Sequence, residues 1–424
     1  MNALNSIRSL TPVGPRINSQ RLWEHICAMA DIGATAKGGV NRQALTTEDT
    51  RGRMLLLQWA SCRGYQASID PIGNLFIRRP GKSPDLSPVL TGSHLDSQPT
   101  GGKFDGVYGV LAGLEVLETL DDHGIETERP LELIVWMNEE GSRFPPPTMG
   151  SAVAAGALPL ADALAIKDVD GIDVQDALKI QLAELPVLET RALDMSGFAY
   201  IEAHIEQGPV LESQACDVGV VTGIQGLHAY EIQLLGAEAH AGTTPLRHRK
   251  DALVAATTLI ARIRAAMDDP EDILRFTVGR LEVYPGSPNT VPGRVTFNID
   301  LRHPDPDFLL RADEKILQLC AGEVEGCPVS AKVLLRSTPV TFDDRVVATV
   351  RNAAGGRAMK FLDIVSGATH DAKYTAEHIP TGMIFVPCEK GISHNEAENA
   401  REVDVAAGAQ VLCDAMLAIM SAQL

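Results

Sequence analysis

The chain has no run of about 18 uncharged apolar residues, which argues against a membrane span. Its first twenty residues, MNALNSIRSLTPVGPRINSQ, hold neither an apolar core of the secretory kind nor an Arg-rich amphipathic pattern of the transit kind, so the expected compartment by default is the cytoplasm. No two cysteines have C-x-x-C spacing. The seven, at 27, 62, 216, 320, 327, 388 and 413, are odd in number and widely spaced, and read as reduced, mostly buried thiols. Basic clusters are missing too, and the formal net charge of −18 repels phosphate backbones and anionic membranes. Neither nucleic acid nor membrane is an expected partner. Internal repeats and low-complexity tracts are absent.

What is present is an ordinary globular composition, 45% apolar and 22% charged. A length of 424 residues exceeds what one core usually organises, so two domains are expected. Residues 21–31 and 47–63 have helical spacing, with Leu22, Ile26, Met29 and Met54, Leu55, Trp59 on buried faces. Strands are expected at 66–68, 75–78 and 89–92. After the turn PTGGKFDG, Val107, Val110, Leu111, Leu114 and Leu117 share one helix side and Glu115 and Glu118 the other. The segment 158–194 reads as helical with loops. Near Asp217 the order changes to strand 227–235, helix 249–268, strands 273–284 and 293–302, helix 306–321 and strand 328–336. That is the β-α-β-β-α-β split motif. The expected fold is α/β: a mixed-sheet domain, residues 1–217 and 337–424, interrupted by a ferredoxin-like α+β domain, residues 218–336.

Candidate ligands follow apolar, strand-like runs. VLTGSHLD carries His94 and Asp96, with Asp105 in the next loop; LELIVWMNEEGSRF carries Glu139 and Glu140, FAYIEAHIEQG carries His204, and MIFVPCEKGISHN carries His394. In open α/β sheets ligands gather beyond the carboxyl ends of strands, so these termini can converge on one crevice. Taken singly, each residue has a plain structural reading: a hydrogen-bonded histidine at a strand end, or adjacent acids in a solvated loop. Taken together they form a set of hard oxygens and imidazoles with no thiolate, suited to two ions of the zinc, manganese, cobalt or nickel kind. His94 and Asp96 share a strand face, so Asp96 can hold the second ring nitrogen of a metal-bound His94. Asp105 can bridge two ions. Consecutive acids project differently, so one can bind metal while the other stays free to move a proton; Glu140 is assigned to the metal and Glu139 to the proton. This arrangement makes the mixed-sheet domain a dinuclear metallohydrolase.

The inserted domain offers a different chemistry. His240, in GAEAHAGTTP, is surrounded by small residues and can donate to an oxyanion. Asn289 and Arg302 lie on a loop and a strand end, and an Arg fork suits a carboxylate unless Arg302 pairs with Asp300 or Asp305.

Together these stretches resemble the amidase family of N-carbamoyl-L-amino-acid hydrolases, metal-dependent β-ureidopropionase and allantoate amidohydrolase, within the clan of dinuclear aminoacylases and carboxypeptidases. The motifs run in order over nearly the whole chain: GGVNRQALTTED, GSHLDSQPTGGKFDGVYGV, NEEGSRF, HIEQGPVLE, AHAGTTP, NTVPG and FVPCEKGISHNEAE. The resemblance implies one ion on His94, Asp105 and His204 and another on Asp105, Glu140 and His394, with Glu139 as general base. It implies transition-state and carboxylate contacts from His240, Asn289 and Arg302, a ureido contact from Gln207, and a homodimer formed through the inserted lid or dimerisation domain, with His240 reaching the partner's active site. The expected reaction is hydrolysis of the carbamoyl C–N bond of an N-carbamoyl amino acid to the free amino acid, ammonia and carbon dioxide. Alternatives are allantoate or ureidoglycolate amidohydrolysis, then aminoacylase or dipeptidase action, then a non-catalytic metal- or ureido-binding role. Two departures from the family pattern bear on substrate choice: Thr369 in SGATHDA, where relatives often carry Gly, and His228 in GLHAYE, where Arg or another residue is frequent.

Overall fold

The computed structural model describes residues 14–267 and 269–421. Most of the N-terminal stretch read for targeting signals, and residue 268 of the expected helix, lie outside the described residues. By contacts the chain divides into two compact units, one running to Gly223 and resuming at Thr341, the other spanning Ile224–Val340. The strand Val218–Ile224 runs antiparallel to Thr381–Val386 and so belongs to the larger sheet.

In the larger unit, Thr381–Val386, Ala199–Ile205, Val89–His94 and Leu131–Trp136 lie side by side and parallel. Every residue of these four strands is buried, which explains why they read as apolar runs rather than alternating ones. Leu75–Arg79 and then Gln66–Ile69 continue the sheet antiparallel. Parallel neighbours need a crossover. Val107–Asp122 supplies one and packs on Val89–His94, while Ser19–Ala30 and Glu402–Ser421 pack beside it. Glu115 and Glu118 do leave the Leu114 side of that helix, yet they are buried: Arg21 reaches them at 2.7 and 2.9 Å. By length and composition Glu402–Ser421 could cross a membrane, but 61% of its most apolar window is buried inside the fold, where it packs on Asp344–Gly356, Val107–Asp122 and Thr381–Val386. Its hydropathy is that of a core helix. All seven cysteines are free, with Cys27 and Cys62 exposed and the other five buried.

The smaller unit is a twice-repeated strand-helix-strand. Its main strands run Arg275–Thr277 with Leu281–Tyr284, then Arg294–His303, then Gly226–Leu235, then Cys327–Ser337, all antiparallel. This is the expected β-α-β-β-α-β connection. Along Gly226–Leu235 and Arg294–His303 burial alternates residue by residue, the period of a sheet covered on one face. Tyr230, Ile232, Val295, Phe297 and Ile299 form its core with Leu259 and Ile263 of Ala252–Ala266 and Leu309 and Ile316 of Pro306–Leu319.

Candidate metal centre

Parallel pairing puts the ligand-bearing ends at one edge. His94 pairs opposite Trp136 and His204 opposite Phe385. The register Thr91↔Ile201, carried three residues on, sets His94 beside His204, and their ring centroids are 5.9 Å apart. Both side chains are 1–2% exposed. His94 Nδ1 lies 2.9 Å from the carbonyl of Asp96, and His204 Nδ1 lies 2.9 Å from the carbonyl of Ile205. A carbonyl only accepts, so each Nδ1 carries a hydrogen, and in the neutral ring each Nε2 keeps the lone pair. Both Nε2 atoms face Asp105 Oδ1, at 3.8 Å from His94 and 3.2 Å from His204.

Asp105 stands in the turn before Val107–Asp122, where Gly106 has φ +67°. A Cβ on Gly106 would lie 2.3 Å from His94 Nε2, so only glycine lets this turn close on the ring. The second oxygen, Oδ2, is 3.3 Å from His394 Nε2, and the same Nε2 is 3.3 Å from Glu140 Oε2. Gln98 holds Glu140 through its backbone N–H at 3.1 Å and its amide at 2.8 Å. Glu139 turns the other way, with Oε2 3.5 Å from His94 Nε2. The ligand atoms of His94, Asp105 and His204, and those of Asp105, Glu140 and His394, lie within 4.8 Å of one another in each set.

Asp96 acts differently from expectation. Its carboxylate stays 3.8 Å from His94 Nδ1, because both its oxygens are taken by backbone N–H groups of Glu139 at 3.2 Å and Glu140 at 3.1 Å. Its carbonyl orients the imidazole, and its carboxylate shapes the turn that splits the two glutamates. Gln207, at φ +56°, donates its amide to Asp105 Oδ2 at 2.9 Å, and its Oε1 is buried without a partner.

Sequence reasoning gave no role to several neighbours. Glu202, on the His204 face of the strand, accepts from Ser93 Oγ at 2.7 Å and from the Ala372 N–H at 3.1 Å. The His370 ring lies 4.4 Å from that of His204, and Glu202, His204 and His370 form a third close set. Glu202's shared face with His204 was the available signal; His370 sits in SGATHDA, beside the half-buried Thr369.

The electrostatics show a shortage of positive charge. Burial and then the carboxylates of Asp371 and Glu140 push Glu139 well above the usual range, and burial with Asp105 pushes Glu140 up to about 8. Burial, with Asp105 next, lifts Glu398 to about 7. Burial works against an ionised Asp105, but hydrogen bonds from His204 and His394 hold it well below the carboxylate range. The hydrogen bond to Asp105 pushes His394 up to about 9; His204 also rises to about 9, burial opposing and Asp105 prevailing. Burial takes His94 down to about 4. Buried carboxylates facing imidazole lone pairs, with protons standing where cations would, fit divalent metal ions.

The smaller unit places its candidates in two groups. His240 and Thr290 pair across a two-stranded ribbon, with Asn289 next to it. His240 Nδ1 accepts from the N–H of Gly242 at 3.0 Å and of Thr243 at 3.1 Å, so the exposed Nε2 carries a hydrogen to donate. Asn289 Oδ1 accepts from Ser287 Oγ. Arg302 lies at the far end: Arg294 pairs with Leu235 and Arg302 with Leu227. Eight strand residues span about 26 Å. Arg302 forks onto Asp300 at 2.8 and 3.1 Å. His228 is buried against Pro306–Leu319, bonded to Asp313 at 3.0 Å, where Arg336 also binds at 2.6 Å.

A mixed α/β sheet with overlapping imidazole-carboxylate triads beyond its parallel strands defines a metal-dependent hydrolase. Residues 90–418 match Peptidase family M20/M25/M40, and the chain belongs to that family. Within it, the chain is 43% identical over 406 residues to an N-carbamoyl-L-amino-acid amidohydrolase of Rhizobium meliloti, covering 95% of this chain and 96% of that one. It is 38% identical to an N-carbamoyl-L-amino acid amidohydrolase of Geobacillus stearothermophilus, covering 93% and 97%, and 35% identical to an allantoate amidohydrolase of Bacillus subtilis, covering 93% and 96%. The crystal structure of a hydantoinase/carbamoylase family amidase from Burkholderia multivorans superposes with a TM-score of 0.88 at 44% identity, over 96% of this chain and 99% of that one.

Proposed function

We propose that the chain hydrolyses an N-carbamoyl amino acid with water to the free amino acid, ammonia and carbon dioxide, using two divalent ions of the zinc, manganese, cobalt or nickel kind. One observation carries this reading: Asp105 turns one oxygen to His94 and His204 and the other to His394, so that it would be available to both ligand sets at once. Relatives named for N-carbamoyl-L-amino acids support the substrate class. The relative named for allantoate, another ureido carboxylate, supports the second reading.

His94, Asp105 and His204 would hold one ion and Asp105, Glu140 and His394 the other. Bound there, divalent ions acidify water and polarise a carbonyl. Glu139 is buried and holds a proton more readily than an ordinary carboxylate, so it takes the proton from the attacking water and returns it to the leaving nitrogen. His240 donates its Nε2 hydrogen to the oxyanion. Arg302 leaves Asp300 for the substrate carboxylate, with Asn289 as a further polar contact. The unpartnered Oε1 of Gln207 accepts from the ureido group.

His240 and Asn289 lie in chain leading from the Leu235–Arg294 end of the sheet, whereas Arg302 stands at the opposite end, eight strand residues or about 26 Å from Arg294. That separation supports a homodimer in which His240 of one chain serves the other chain's centre, the smaller unit acting as lid and dimerisation domain. The free cysteines fit a reducing compartment, the cytoplasm.

The experiment is ammonia release by metal-loaded protein from N-carbamoyl-L-amino acids, N-carbamoyl-β-alanine, allantoate, ureidoglycolate and dipeptides in parallel. N-carbamoyl-L-amino acids should turn over fastest. A higher rate on allantoate would move the assignment to the second reading, and metal binding without hydrolysis of any substrate would end the catalytic one. Mixing inactive Glu139→Gln and His240→Ala chains should restore activity if His240 acts across the dimer.

A further inference from the structure

Outside the two triads lies a buried carboxylate whose contacts all converge on them. Glu398 is 3% exposed and follows His394 by four residues. Its Oε1 accepts the backbone N–H of Phe104 at 3.0 Å and of Asp105 at 3.1 Å. Its Oε2 accepts from the Ser393 hydroxyl at 2.8 Å. That hydroxyl is also 3.1 Å from Asp105 Oδ2, the oxygen that faces His394. The turn at Gly102 is closed against the same carboxylate, since a Cβ there would lie 2.0 Å from Glu398 Oε1. One side chain therefore ties the turn carrying Asp105 to the loop carrying His394, across 293 positions of sequence.

The direction of this tie matters. Asp105 Oδ1 faces His94 and His204 and has no contact with the Glu398–Ser393 pair, whereas Oδ2 has Ser393 beside it. A hydroxyl has one hydrogen. When Oδ2 gives its lone pair to a cation, Ser393 has Glu398 Oε2 to donate to, so no buried donor is stranded.

We propose that Glu398 is a positioning residue that sets the affinity of the half of the centre formed by Asp105, Glu140 and His394, acting through Ser393 and the backbone of Asp105. The inference rests on the two-ion reading above. Pinning two ligand-bearing loops before the ion arrives lowers the ordering cost of binding.

The test is stepwise titration of metal-free, full-length protein with Zn²⁺ against a chromogenic chelator, together with the thermal midpoint of the metal-free form. Wild type should take two ions, and the step missing in His394→Ala identifies the half in question. Glu398→Ala should weaken that step by about 10–100-fold and leave the other within about threefold. Glu398→Gln keeps an oxygen for the two backbone N–H groups but sets an amide donor where Oε2 accepted from Ser393, so it should weaken the same step less than Glu398→Ala, by under about tenfold. Equal weakening of both steps, or a lowered midpoint with both steps unchanged, would assign Glu398 to folding alone and overturn the inference. Should Glu398→Ala not fold, Ser393→Ala decides, and an unchanged step there overturns it equally. Wild type that takes no ion would instead remove the two-ion reading itself.

Discussion

The two halves of the candidate centre are held in different ways. His94 and His204 stand at the ends of neighbouring parallel strands, their side chains 1–2% exposed and their Nδ1 hydrogens fixed by backbone carbonyls. His394 stands in a loop at φ +52°, its side chain 52% exposed. Sheet pairing makes a rigid pair of donors; a loop makes a replaceable one that needs outside support. The inner half is therefore expected to bind its ion tightly and to matter for folding, and the outer half to exchange its ion and to matter mainly for activity.

The largest effect tests the proton carrier that stands beside the inner half, Glu139 Oε2 being 3.5 Å from His94 Nε2. Glu139→Gln should lower kcat by about 10²–10⁴-fold with metal content unchanged, read by ammonia release beside elemental analysis. Lost metal would mean that Glu139 is a ligand rather than a base. His240→Ala should lower kcat by about 10²–10³-fold, again at full metal content, since it removes one oxyanion donor from a unit that carries none of the ligands. The two halves separate most directly in a third pair. His204→Ala should cost the metal-free protein about 2 kcal/mol in denaturant unfolding, whereas His394→Ala should cost less than about 0.5 kcal/mol while dropping metal content by one ion. Similar losses for both would erase the distinction. Chelator dialysis should remove one ion well before the other, with activity falling at the first. Arg302→Lys gives the smallest change, a KM raised by about tenfold with little change in kcat, because an ammonium cannot fork onto a carboxylate.

Much of this was readable from the letters. The four central strands appear as apolar runs because both sheet faces are covered, and the donors sit just past those runs. The two short strands where one was expected, Arg275–Thr277 and Leu281–Tyr284, were not legible. Both lie on Arg294–His303, but four steps from Thr277 to Leu281 oppose three from Asp300 to Phe297, one extra residue between them that only pairing reveals. Asp96 was read as orienting His94 through its carboxylate, a natural inference from two residues on one strand face. The carboxylate went to the Glu139 and Glu140 N–H groups because that turn had unsatisfied donors nearby, a demand set by chain 43 residues away. Glu398 and His370 escaped notice because nothing local marks a buried carboxylate or imidazole; their meaning comes from partners across the sheet.

The sequence by itself determined the chemistry: which side chains can bind a divalent ion, which can move a proton, and that each comes just after an apolar segment. Those are properties of residues and of local periodicity, and they survive without knowing where any atom lies. The tertiary structure alone decided which oxygen of Asp105 meets which histidine, that Asp96 works through its carbonyl, and that Arg302 stands at the far end of its sheet from His240. Such distances follow from the register of strands a hundred residues apart, and register is chosen by packing over whole faces rather than by any short stretch of chain.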